Sequence, residues 1–148
     1  MSLKPIPDGY HTLTPYLIVD KALPIIDFVK AAFSAVEIKR SSTPDGRIMN
    51  VELRIGNSMI MMGEARPPWN PMPCSLYVYV EDTDDAYRRA IEAGGKSLME
   101  PANQFYGDRN AGVQDSEGNM WWIATHIEDV SPEELARRAE VHAAHQTN

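Results

Sequence analysis

Apolar positions along the chain change rhythm in a fixed order, from period two to helical spacing and back. That order predicts strand, helix, strand, strand, strand, and then the same series again. A first strand is predicted from about Thr12 to Val19. A helix follows, with Asp20 as its N-cap and Pro24 in its first turn, and with Ile25, Ile26, Val29, Ala32 and Phe33 on one buried face. Val36 to Arg40 reads as a short strand, Ser41 to Gly46 as a hairpin loop, and Arg47 to Arg54 as an alternating strand. That strand turns at Ile55-Gly56-Asn57-Ser58 into a fourth, Met59 to Met62. Prolines 67, 68, 71 and 73 make residues 64–74 a connection.

The second series starts with a strand from Ser75 to Val80 and a helix from Asp82 or Thr83 that stops at Gly94-Gly95. Lys96 to Glu100 is a strand, Pro101 to Asp108 a loop carrying Phe105 and Tyr106, and Arg109 to Gln114 a strand. Asp115 to Asn119 supplies turn chemistry, and the strand that follows carries Trp121 and Trp122 on opposite faces. A last helix begins at Ser131-Pro132-Glu133-Glu134, with an N-cap, an N1 proline and a capping glutamate, and runs to about Ala144. Its apolar stripe, Leu135 and Ala139, is thin.

The two series are copies. Tyr16-Leu17-Ile18-Val19-Asp20 matches Tyr77-Val78-Tyr79-Val80-Glu81 at an offset of 61, and Gly56-Asn57 matches Gly118-Asn119 at 62. With one residue inserted between those points, Met59 and Met61 align with Trp121 and Ile123. They are expected on the helix side with Leu17, Val19, Leu76, Val78 and Val80. The opposite face then carries Thr14, Tyr16, Ile18, Ile60 and Met62 in the first copy. In the second it carries Ser75, Tyr77, Tyr79, Trp122 and Ala124. That soft, aromatic, hydroxylated surface is what a small-molecule cleft requires.

Composition narrows the field. The chain has 148 residues, 43% of them hydrophobic, which suits one domain. No apolar run is long enough for a membrane span, and the N-terminus has no signal-peptide core. The single cysteine, Cys74, points to a reducing, cytoplasmic setting. A net charge of -7 argues against nucleic acid.

Several stretches carry a resemblance. Tyr10 to Val19, Asp45 to Met49, Glu52 to Gly56, Gln104 to Arg109 and Trp121 to Asp129 resemble PhnB-like proteins. Those belong to the glyoxalase, bleomycin-resistance and dioxygenase superfamily, also called vicinal oxygen chelate. The resemblance implies an α+β fold of two βαβββ modules with curved mixed sheets around a cleft, and a homodimer. Module one covers about 10–63, the linker 64–74, module two 75–130, and a C-terminal helix 131–145. Fold does not settle function. Metal-using members place His or Glu on strands one, four, five and eight. By the repeat register those places hold Thr14, Ile60, Ser75 and Trp122, so no metal and no cofactor is expected.

Candidate chemistry remains at a few residues. Glu52 shares a strand face with Asn50 and Arg54 and is a candidate base if burial raises its pKa. Arg109 could hold an anionic group. His11 lies before the first strand, while His126, His142 and His145 read as structural or solvated. The expectation is metal-independent binding of a small, partly aromatic or apolar molecule, in the manner of drug-sequestering relatives. Thr14, Tyr16, Glu52, Ser75, Tyr77, Tyr79, Arg109 and Trp122 are its ligand-binding residues. The alternative is a lyase, an isomerase or a metal enzyme with Glu52 as base or ligand.

Overall fold

The computed structural model describes residues 2–146. The first module contains β1 (Tyr16–Val19), α1 (Ala22–Phe33), β2 (Val36–Ser42), β3 (Ile48–Ile55) and β4 (Ser58–Glu64). The second contains β5 (Ser75–Tyr79), α2 (Thr83–Glu92), β6 (Lys96–Asn103), β7 (Asp108–Gln114) and β8 (Met120–His126), and α3 (Pro132–Gln146) closes the chain. Each module forms a four-stranded sheet, ordered β1-β4-β3-β2 and β5-β8-β7-β6. The first strand of each pairs in parallel with the last, and the rest is antiparallel. A parallel pair needs a crossover, and α1 and α2 are those crossovers.

Both helices lie on one side of their sheets. Ile25, Ile26, Val29 and Ala32 of α1 are buried in a cluster with Leu17, Val19, Val51, Leu53, Ile60 and Met62. Phe28 and Phe33 reach across to the second module, with ring centroids 6.1 and 5.4 Å from that of Trp121. Module two meets them with small side chains, Ala86 and Ala90, which let α2 approach closely. The two modules therefore share one core. By contrast α3 buries no residue and is held by Arg138, whose guanidinium binds Glu128 at 2.8 Å and Glu134 at 2.9 Å.

The structure corrects several boundaries. The first strand begins at Tyr16 rather than Thr12, because Pro15 has no N–H to pair, although its carbonyl accepts from Met61 N at 2.9 Å. Lys21, not Asp20, precedes α1 without a side-chain cap, and the Glu64 carboxylate takes the Ala22 N–H at 3.1 Å instead. Strand β6 extends through Pro101 to Asn103, with register shifts on either side of Met99. Helix α2 starts at Thr83, one of the two expected starts, and Asp82 caps it, accepting from Asp85 N at 3.0 Å.

The larger correction concerns β4. Leu17 pairs with Met62, and Leu53 with Ile60, so Ile60 and Met62 face the helices. Met59 and Met61 lie opposite Arg54 and Glu52, on the other face. The inserted residue sits inside the second hairpin, not before it. Ile55 pairs with Ser58 across a two-residue turn, whereas Gln114 pairs with Met120 across Asp115 to Asn119. The two Gly-Asn pairs thus lie at different depths in their turns and are not equivalent. Ile60 is the counterpart of Trp121, and Met61 of Trp122.

Candidate functional site

The face of module two away from the helices is built by alternation on three strands. Ser75, Tyr77 and Tyr79 of β5 stand beside Met120, Trp122 and Ala124 of β8. Asp108, Asn110 and Gly112 of β7 continue the same face, paired with His126, Ala124 and Trp122. The Trp122 ring lies over Gly112, where any Cβ would overlap it, and its indole N–H donates to Ser75 Oγ at 2.9 Å. Tyr77 and Tyr79 meet edge to face with centroids 5.3 Å apart. Tyr77, Met99, Gln104, Tyr106, Asn110 and Trp122 line a shallow, open hollow of about 310 Å³.

One buried carboxylate organises this face. Asp108, 5% exposed, accepts from Tyr77 Oη at 2.7 Å and Tyr79 Oη at 2.9 Å, and lies 3.0 Å from His126 Nδ1. His126 Nε2 is 2.7 Å from the exposed Asp129. Asn110 Nδ2 donates to both Tyr77 Oη (3.2 Å) and Tyr106 Oη (2.6 Å). Burial alone would raise the Asp108 pKa, but the hydrogen bonds from Tyr77, His126 and Tyr79 outweigh it and hold the group below its ordinary value. Burial and the bond to Asp108 push Tyr77 well above the tyrosine range, and the same bond raises Tyr79. Asp129 and then Asp108 raise His126. Both tyrosines are thus locked as protonated donors, and Asp108 as a saturated acceptor.

Module one presents a different face. Tyr16, Ile18, Met59, Met61, Asn50, Glu52 and Arg54 share it by register. Tyr10, from the N-terminal arm, donates to the Glu52 carboxylate. Burial and this carboxylate raise the Tyr10 pKa to about 12. Asn50 Oδ1 is buried without a partner, as is Asn110 Oδ1 on the matching strand of module two. Thr14 lies before β1.

Of the sequence-predicted residues, Ser75, Tyr77, Tyr79 and Trp122 come together on one face, while Tyr16 and Glu52 share the face of the other module. Arg109 joins neither. Alternation turns it to the helix side, where its guanidinium clamps Asp84 at 2.7 and 2.8 Å. The sequence reading missed Asp108, Asn110, Gln104 and Tyr106, and took His126 as structural. Starting β7 one residue earlier, at Asp108, would have put Asp108, Asn110 and Gly112 on the tyrosine face.

A sequence profile described as Glyoxalase/Bleomycin resistance protein/Dioxygenase superfamily matches residues 11–123. The chain belongs to that superfamily. An uncharacterized protein of Mycobacterium bovis is 31% identical over 134 residues, covering 83% of this chain and 88% of that protein. The fold is similar to the PhnB protein of Bacillus cereus, described as a putative 3-demethylubiquinone-9 3-methyltransferase. The TM-score is 0.61 at 15% identity, over 78% of this chain and 99% of that one. It is also similar to the fosfomycin resistance protein FosX of Mesorhizobium loti, with a TM-score of 0.59 at 14% identity, over 84% of this chain and 95% of that one.

Some members of the superfamily hold a divalent metal, and the residues at the corresponding places decide whether this chain can. With the register corrected, these are Thr14, Met61, Ser75 and Trp122. A thioether, an indole and two hydroxyls are poor donors for ions that bind imidazole and carboxylate, and the group does not fit. Among the described residues, no three His, Cys, Asp or Glu side chains gather in a way that could hold a metal ion. No helix among them is long and apolar enough to cross a membrane.

Proposed function

We propose that this superfamily member binds a small, partly aromatic molecule on its sheet faces without a metal, in the cytoplasm and as a homodimer. The observation that carries the reading is the Asp108 cluster. It spends the acid–base capacity of two tyrosines and a carboxylate on holding one another still. Residues arranged for proton transfer have pKa values near the working pH, whereas Tyr77 and Asp108 are driven apart from it in opposite directions. What remains is a rigid aromatic wall with few polar anchors, which suits recognition. Ser75, Tyr77, Tyr79 and Trp122 form the main contact surface, and Thr14, Tyr16 and Glu52 contribute from module one. Arg109 is left out of the set because Asp84 holds it.

A second reading has one observation in its favour. Glu52 faces away from the helices with Tyr10 on its carboxylate, beside the unpartnered Asn50 Oδ1. That arrangement would serve a lyase or isomerase base. A thermal-shift screen of small molecules, run with wild type, Trp122→Ala and Glu52→Gln, separates the two. A bound ligand raises the melting temperature by mass action. Binding lost in Trp122→Ala and at most weakened in Glu52→Gln supports the first reading. Turnover abolished by Glu52→Gln supports the second. About one divalent metal per chain by elemental analysis would overturn the metal-free proposal.

A further inference from the structure

We propose that the hollow of module two recognises the planar amide edge of an uncharged aromatic ligand and rejects the matching carboxylate. This rests on the binding reading above and names the chemistry that the site would take. Its volume of about 310 Å³ suits a molecule of one or two rings. Trp122, flat on Gly112, and Tyr77 supply the stacking surfaces.

The polar groups at the rim come from one turn. Gln104 and Tyr106 flank its bend, closed by Gly107 N to Gln104 O at 3.2 Å. Tyr106 Oη already accepts from Asn110 Nδ2 at 2.6 Å. Its own proton meets no acceptor among the described residues and is free to donate to a carbonyl in the hollow. The Gln104 side chain makes a single long contact, Nε2 to Met99 Sδ at 3.9 Å, and its carbonyl oxygen is open to an incoming N–H. A donor and an acceptor lining the same hollow match an amide, which offers the same two groups in reverse.

Charge decides between the amide and its acid. No Lys or Arg lines the hollow. Asp108 lies directly behind Tyr77 and Tyr79, and the His126 that faces it is shared with Asp129, so this cluster stays net negative even with the imidazole protonated. A carboxylate would be repelled and would leave the Gln104 carbonyl facing an anion. A site built around hydrogen bonds discriminates steeply against a ligand that cannot make them.

The test is calorimetric titration of the purified full chain at pH 8 with benzamide and, separately, benzoate. Benzamide should bind at least about tenfold more tightly than benzoate. Gln104→Leu and Tyr106→Phe should each weaken benzamide, and Gln104→Leu should shrink the difference between the two probes. Melting temperatures confirm that both variants are folded. Equal or tighter binding of benzoate overturns the proposal. So does a failure of benzamide to bind at millimolar concentration, or affinity unchanged in both variants. If the thermal-shift screen still finds a ligand whose binding needs Trp122, the amide proposal alone has failed; if it finds none, the binding reading fails with it.

Discussion

The two modules share topology and a common core, yet only one of them is closed. In module one the inward residues of β1, Leu17 and Val19, are each 1% exposed, and the outer edge of β1 is met by the linker, with Met72 N donating to Ile18 O at 3.0 Å. In module two the matching residues of β5, Leu76 and Val78, are only half-buried. Beside them lies a cavity of about 900 Å³ whose lining includes Leu13, Phe33, Ile60 and Trp121. The difference teaches that α1 completes one half of the shared core, while the β5 edge is left with apolar surface and unpaired backbone. Natural proteins cover such edges, and a second copy is the commonest cover. The homodimer proposal takes its support from this asymmetry.

Breaking the comparison starts with the tryptophans. Trp121 is 0% exposed between Phe28 and Phe33, so Trp121→Ala should cost roughly 3–5 kcal/mol and unfold much of the population. Trp122→Ala, on the open face, should cost about 1–2 kcal/mol. Urea denaturation ranks them, and the reverse ranking would refute the assignment of faces.

The turns come next. Asp115 accepts from Asn119 N at 3.0 Å, Asn119 Nδ2 at 2.9 Å and Trp121 Nε1 at 2.9 Å, a hub that the inserted residue makes room for. Asp115→Ala leaves those buried donors unpaired and should cost about 2–3 kcal/mol. Asn57→Ala, in the short exposed turn of module one, should fall within about 0.5 kcal/mol of wild type. Comparable losses would mean that the two hairpins are energetically alike after all.

The open edge can be tested directly. Light scattering should give a dimer mass for wild type, and Val78→Asp should shift it toward monomer while Leu3→Asp, on the exposed N-terminal arm, does not. A monomeric wild type at micromolar concentration would leave the β5 edge without its proposed cover.

The smallest effect is a dependence on pH peculiar to module two. The His126 pKa is raised by Asp129 and Asp108. Its contribution to stability is therefore full below the ordinary value of about 6.5 and lost as pH rises through the higher folded value. Asp108 runs the other way. Its lowered pKa stabilises above about 3.9, and that stabilisation is lost as pH falls through the folded value. Melting temperature followed from pH 6 to 9 should decline in wild type, and His126→Gln should flatten part of that decline. Module one has Ile48 where module two has Asp108, and so no counterpart.

Alternation made the fold readable. Period-two and helical spacing located the strands and helices, and strand parity together with the repeat sent Trp121 inward and Trp122 outward. Parity also explains what was lost. A turn motif aligned by its Gly-Asn letters shifted the alignment of β4 by one residue and inverted Met59 to Met62. Arg109 was grouped with the ligand residues for its chemistry, although its odd position in β7 puts it beside Val113 and Ala111. The cluster of Asp108, Asn110, Tyr77 and Tyr106 joins three separate segments by hydrogen bonds. No local pattern announces such a meeting, since it depends on the pairing of β5, β7 and β8.

Gly112 carries a last consequence. Counting along the repeat, it occupies the place that Glu52 holds in module one, since Leu53 and Val113 pair with the equivalent Ile60 and Trp121. At the same place one module thus carries a carboxylate and the other no side chain at all. Any Cβ at position 112 would overlap the Trp122 ring. The Trp122 ring can therefore lie where it does only while position 112 stays bare, and a side chain such as the one module one carries there would displace the ring rather than sit beneath it.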